Sequence, residues 1–213
     1  YRLAVFNQLS KKVIPKYEIV GDSQRREGIK TIPSHYFKIN PEDGGITKVN
    51  SKSYYYSKSL QLWQTGVISK IFSREYDLFI LDGATSHIST WLFAILCKFS
   101  GKKSILWSHG FKGTDKGLKK IIRIIFFKYL PDGLILYGDF SKNEMVKEGF
   151  NPSKIFVIGN LFNYENQKVI RDEILNDIKS VSFYKKKIFK KDYKTVLFIG
   201  RLQKNKKVDK LLE

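Results

Sequence analysis

One cysteine, Cys97, occurs among 213 residues, which excludes an internal disulfide scaffold and a Cys-based zinc cluster. A lone thiol fits a reducing compartment. Long apolar runs are also missing. The longest apolar stretch, Ile88–Cys97, is closed by Lys98 and falls short of the roughly 18 residues a membrane span needs. No secretory signal is visible at the start. Acids are scarce, 20 against 39 Lys and Arg, and the net charge is +19. Several catalytic patterns are absent: G-x-S-x-G, H-E-x-x-H, C-x-x-C and the phosphate loop G-x-x-x-x-G-K-[ST]. No D-x-D occurs to hold a divalent ion on a nucleotide diphosphate, so the expected chemistry needs no metal and no cofactor.

Apolar residues make up 42% of the chain and aromatics 15%. That composition opposes disorder, which couples high charge to low hydrophobicity. The length suits one large domain or two small ones. The positive charge is concentrated late. Residues 179–213 hold twelve Lys or Arg against three acids. Such a field attracts phosphates on nucleotides, lipid head groups or nucleic acid.

Short apolar runs alternate with longer amphipathic stretches. Strands are predicted at Tyr17–Val20, Leu78–Leu81, Ser104–Trp107, Gly133–Tyr137, Ile155–Ile158 and Thr195–Ile199. Most are apolar throughout, as parallel strands covered on both faces are. A helix is predicted from Tyr1 to Lys12. Tyr56, Leu60, Trp63, Val67 and Ile71 recur at spacings of three and four, which predicts another. A third runs to about Phe99, capped by Thr85 or Ser86 and ended by Gly101. A fourth spans Phe140–Glu148, ended by Gly149 with Pro152 beyond. Asn40–Gly45 reads as a turn-rich loop. This alternation predicts an α/β fold, a doubly wound parallel sheet of Rossmann type. Tyr164–Lys194 is charged, with helical potential to about Ser180. The expected division is a first domain at 1–163 lacking its opening strand, a linker at 164–193, and the start of a second domain at 194–213. The chain opens on Tyr1 and stops at Glu213 within a starting helix, so it is read as an internal piece of a longer protein.

Ligands of open α/β sheets bind outside the carboxyl ends of the strands. There the sequence places Asp82-Gly83, Ser108-His109-Gly110, Gly138-Asp139, Gly159-Asn160 and Gly200-Arg201. Glycine permits tight turns and close backbone approach. His109 can hydrogen-bond a phosphate or a sugar hydroxyl. After the last predicted strand come Gly200, Arg201 and Leu202, then Lys204, Lys206 and Lys207 before a helical start. Arg offers a planar fork to a diphosphate and Lys a compact charge, both beside a helix N-terminus.

The stretch TVLFIGRLQKNKKVDKLLE (Thr195–Glu213) resembles the opening of the C-terminal domain of family-4-type retaining glycosyltransferases. Their pattern is a strand, G-R-L, a Lys six residues after the Gly, and an apolar helix. Gly200, Arg201 and Lys206 match it, and Lys207 stands where a Gly usually follows. YRLAVFNQLS resembles the family's first helix, LWSHG (Leu106–Gly110) the loop whose His lies near donor phosphate or sugar, and LILYGDFSKNEMVKEGFNPSKIFVIGN (Leu134–Asn160) the last strand–helix–strand before the crossover. In that last element Gly159 and Leu161 replace the family's Pro and Gly.

The resemblance implies the GT-B fold, two Rossmann-like domains, and transfer of a sugar from a nucleotide-sugar donor to a glycan or lipid-linked acceptor with retained configuration. It places the protein in bacterial surface polysaccharide synthesis, in the cytoplasm, peripheral on the inner face of the plasma membrane. His109, Arg201 and Lys206 are the implied catalytic residues. Gly200, Arg201 and Lys206 would bind the donor diphosphate, and Asn7, Asp82 and Gly110 lie on the acceptor side. The basic stretch Gly117–Leu130 is the candidate contact with an anionic membrane surface, with Lys119, Lys120 and Arg123 toward phosphates. Two other readings stay open. One is a GT-B-fold nucleotide-sugar epimerase. The other is a non-enzymatic basic domain binding nucleic acid or membrane, suggested by the charge and by Phe183–Lys194. Nucleic acid is not the expected partner, because the alternation and glycine-rich strand ends explain more of the chain.

Overall fold

The computed structural model describes residues 17–22, 46–57, 60–111, 115–159, 164–188, 198–200 and 206–212. The helix expected at Tyr1–Lys12 and the loop at Asn40–Gly45 lie outside them. The chain forms two compact units, Tyr1–Asn163 and Tyr164–Glu213.

The first unit is α/β. Strands β1 (Tyr17–Asp22) and β2 (Ile46–Ser51) pair in parallel. Strands β3 (Ser53–Ser57) and β4 (Leu60–Gln64) form an antiparallel hairpin, followed by a 3-10 turn at Ile68–Phe72. This corrects the helix predicted over Tyr56–Ile71. The run Ser53-Tyr-Tyr-Tyr-Ser57 is rich in β-favouring aromatics, and period-two alternation fits it as well as helical spacing does. Val67 still packs on buried Ile71, so the end of the pattern is apolar for core reasons.

A four-stranded parallel sheet follows: β5 (Leu78–Asp82), β6 (Lys103–Ser108), β7 (Gly133–Leu136) and β8 (Ile155–Val157), in that spatial order. The connections are α1 (Ile88–Phe99), α2 (Gly117–Ile124) running into a π-turn at Ile125–Tyr129, and α3 (Asp139–Lys147). Right-handed crossovers that all advance the same way place their helices on one face of the sheet. The core sits there. Leu106, Leu134, Leu136 and Ile155 meet Phe111, Phe126, Phe127, Met145 and Phe150. A second cluster joins Phe93 and Cys97 of α1 to Ile71, with Phe79 alongside. The opposite face is barer: Leu78, Ile80 and Phe156 remain about half exposed.

Local chemistry sets the helix ends. Helix α3 stops at Gly149, whose φ of 76° suits glycine. Its N–H bonds Val146 O, and that of Phe150 bonds Met145 O. Helix α1 ends in the same way through Gly101, with Lys102 N on Cys97 O. Its start differs from expectation. His87, not Thr85 or Ser86, occupies the cap position, because Ala84–His87 closes a tight turn with His87 N on Ala84 O.

The second unit contains α4 (Tyr164–Asn176), α5 (Ile178–Ile188) and the short α6 (Asp209–Leu212). Helix extends through Phe183–Lys187, beyond the expected limit near Ser180. Of the strand predicted at Thr195–Ile199, residues 195–197 lie outside the described ones, while Phe198 and Ile199 form no regular structure. No helix among the described residues is long and apolar enough to cross a membrane.

Candidate ligand-binding site

The parallel register brings Asp82 opposite Trp107 and Ser108 opposite Leu136, so the loops after β5 and β6 rise at the same carboxyl edge. They are stitched together. Gly83 N donates to Trp107 O at 2.9 Å. Ser108 Oγ donates to Gly83 O at 2.9 Å and accepts from Gly110 N at 3.2 Å. Glycine is required at both positions. A Cβ on Gly83 would stand 2.7 Å from Ser108 Cβ, and Gly110, at φ 67°, would press one against Ser141, Leu136 and Met145.

Between these loops lies an open cavity of about 250 Å³. Gly83–Ser86 and Ser108–Gly110 form two sides, and Arg123 and Phe127 form the third. His109 is exposed at this rim, its ring 4.5 Å from that of Tyr137. Ser141 Oγ donates to His109 O at 2.7 Å and fixes the backbone beneath the imidazole. Asp82 stands at the end of β5, half exposed, its carboxylate 3.4 Å from His87 Nδ1. Burial pushes His87 below its ordinary pKa, against the opposing pull of Asp82. His87 is therefore neutral near pH 7.

Arg123 corrects an expectation. The sequence groups it with Lys119 and Lys120 on an outer basic edge. The structure turns it inward, 19% exposed, to line the cavity. Its Nη1 donates to Asp115, which also pairs with Lys119 at 3.3 Å. Its Nε is buried without a hydrogen-bond partner among the described residues. An inward donor beside two glycine loops can hold an anionic or hydroxyl-bearing ligand. Tyr137, Ser141 and Arg123 are the site residues that spacing did not single out. Tyr137 was in plain view as the last residue of a predicted strand. Arg123 was hidden among the lysines of α2, although ordinary helical spacing already places it on the face of Phe126 and Phe127.

A second cavity, about 260 Å³, lies at the opposite end of the sheet among Tyr129, Gly133 and Phe150. It is away from the strand carboxyl ends, where the polar groups converge, and we place no chemistry there.

Thus Asp82, His109 and Gly110 come together at one edge of the first unit. Gly200 and Lys206 belong to the second unit. Gly200 lies against the Phe198 ring, where a Cβ would stand at 2.9 Å. Lys206 is exposed. Lys207 adopts φ 48°, and its carbonyl accepts from Lys210 N at the start of α6. Asn7 and Arg201 lie outside the described residues. Among the described residues no group of three His, Cys, Asp or Glu is placed to hold a metal. In comparisons with known proteins, no family model, no curated protein and no solved structure matches the chain.

Proposed function

We propose that the chain carries the acceptor-side domain and the start of the nucleotide-binding domain of a GT-B-fold, retaining glycosyltransferase of the family-4 type. It moves a sugar from a nucleotide-sugar donor to a glycan or lipid-linked acceptor in bacterial surface polysaccharide synthesis. The observation that carries the reading is the convergence of two glycine loops and exposed His109 at the carboxyl edge of a parallel sheet. Lys207 adds support. It holds the left-handed backbone for which the family pattern has glycine, so the turn after Lys206 keeps its shape despite the substitution.

In this reaction the acceptor oxygen bonds to the anomeric carbon, and the bond from that carbon to the diphosphate oxygen breaks. The electron pair leaves on the diphosphate, whose oxygen takes up the proton that the acceptor hydroxyl loses. Gly200, Arg201 and Lys206 take that group, and the two cations stabilise its growing charge without a divalent ion or other cofactor. His109 contacts the sugar or its phosphate. Asn7, Asp82 and Gly110 serve the acceptor.

The test is a panel of nucleotide sugars with the full-length protein, read by thermal shift and by ³¹P detection of released nucleoside diphosphate, with and without EDTA. One donor should raise the melting temperature and release diphosphate in EDTA, and an added glycan or lipid acceptor should speed the release. An epimerised sugar without acceptor would assign the epimerase instead. Binding to single-stranded nucleic acid with no response to any nucleotide sugar would overturn the enzyme reading.

A further inference from the structure

Two neighbouring helices expose apolar stripes where solvent-facing helices normally carry polar residues. On α1 the stripe is Ile88, Leu92, Ile95 and Phe99, at spacings of four, three and four. Ile88 is 52% exposed and Phe99 86%. On α2 and its π-turn the stripe is Leu118, Ile121, Ile122, Ile125 and Tyr129. Leu118 is 71% exposed and Ile121 55%. Opposite sides of the same helices supply the core residues Phe93, Cys97, Phe126 and Phe127. The stripes therefore face away from the sheet.

They also adjoin one another. Trp91 of α1 packs its ring 4.7 Å from that of Phe126. The Lys98 ammonium donates to the Tyr129 carbonyl. The two helices thus present one apolar surface of a kind that a soluble monomer seldom leaves open. Its setting is cationic. Residues 88–130 hold nine Lys or Arg against the single acid Asp115. Lys98, Lys116 and Lys119 are exposed beside the stripes.

We propose that this surface docks on an anionic phospholipid bilayer, with the two apolar stripes entering the interface and the flanking lysines meeting phosphates. Charge complementarity selects this occupant. A chain of net charge +19 repels its own copy, whereas anionic lipids attract juxtaposed lysines. Burial of the apolar stripes adds an attraction that salt does not screen. The inference does not depend on the proposed sugar transfer.

The test is flotation of the full-length protein with vesicles of phosphatidylcholine alone or mixed equally with phosphatidylglycerol. Ile121→Lys/Ile125→Lys is the decisive variant, since it removes apolar contact while adding charge. Ile95→Lys/Phe99→Lys tests the other stripe. All four side chains are solvent-facing, and circular dichroism checks that the variants fold. Wild type should float with the anionic vesicles, and each variant should lose at least tenfold in partitioning. Unchanged or stronger flotation of both variants would overturn the proposal in favour of diffuse electrostatics. A wild-type dimer in sedimentation velocity that Ile121→Lys/Ile125→Lys dissociates would overturn it in favour of a second copy. Failure of wild type to float would also overturn it.

Discussion

Gly83 and Ser108 are so close that a methyl group on the glycine would stand 2.7 Å from the serine Cβ, with Trp107 O at 3.1 Å. The neighbour on one side is backbone, so relief requires the strands themselves to shift. Gly83→Ala should therefore cost about 1–3 kcal/mol, the usual range for forcing an extra methyl into a packed position. Urea unfolding measures it. A midpoint equal to wild type would mean that the two loops are not held together as described.

Arg123 and Asp115 form an ion pair in which the carboxylate is 10% exposed. Arg123→Met leaves that carboxylate with only exposed Lys119 and should destabilise by about 3–5 kcal/mol. The double variant Arg123→Met/Asp115→Leu should recover most of the loss, since an apolar pair of similar volume replaces a buried ionic one at little cost. If the double variant is no more stable than the single, the pair is not the source of the effect.

Cys97 is fully buried on α1. Burial, reinforced by the Asp132 charge and opposed by Lys102, pushes its thiol up to about 11. The thiolate is the reactive form. Iodoacetamide at pH 7.5 should leave the folded protein unmodified and alkylate it fully in urea, as mass spectrometry reports. Equal rates in both conditions would contradict the packing around α1.

Asp132 is opposed by burial, but Ser104 N–H at 2.9 Å and Lys103 Nζ at 3.2 Å outweigh that, and its carboxyl is held below the ordinary value. A group with a depressed folded-state pKa contributes stability that is present above the unfolded pKa and lost as pH falls through the folded one. Asp132→Asn should thus lower the melting temperature at pH 7 and lower it less at pH 3. A difference that is constant with pH would show that the charge plays no part.

Lys206→Ala in the full-length protein should damage turnover far more than folding. An exposed substitution shifts stability by about 0.5 kcal/mol, whereas losing a preorganised charge at a leaving group costs roughly 2.7–4 kcal/mol, about 10²–10³ in kcat. Lys204→Ala is the matched control. If Lys206→Ala keeps wild-type kcat, the diphosphate does not sit at this turn.

The strands β5 to β8 were legible because each is a largely apolar run closed by glycine or a polar turn, as at Leu78–Asp82 and Lys103–Ser108, whereas β2, with the mostly polar sequence ITKVNS, was missed. The glycines at the cavity were legible for the same reason. The hairpin at Ser53–Gln64 was not, because Tyr56, Leu60 and Trp63 satisfy helical spacing by coincidence while pairing across strands decides the outcome. The stretch Gly117–Leu130 was legible as basic and apolar, but which of its side chains face the sheet was not. Its most amphipathic face points to solvent, and a π-turn then carries both Phe126 and Phe127 into the core. Periodicity reports that a helix has two faces, and only the sheet decides which one is buried.

The sheet from β5 to β8 pairs every strand with the one made just before it. As the chain leaves the ribosome, each new strand finds its partner already in place, one short crossover away. Growth in the order of synthesis keeps the sequence separation of contacts low, which favours quick pairing over waiting. The edge on the growing side is the one the next segment is about to cover, while the outer edge of β5 has no strand partner among the described residues at any stage.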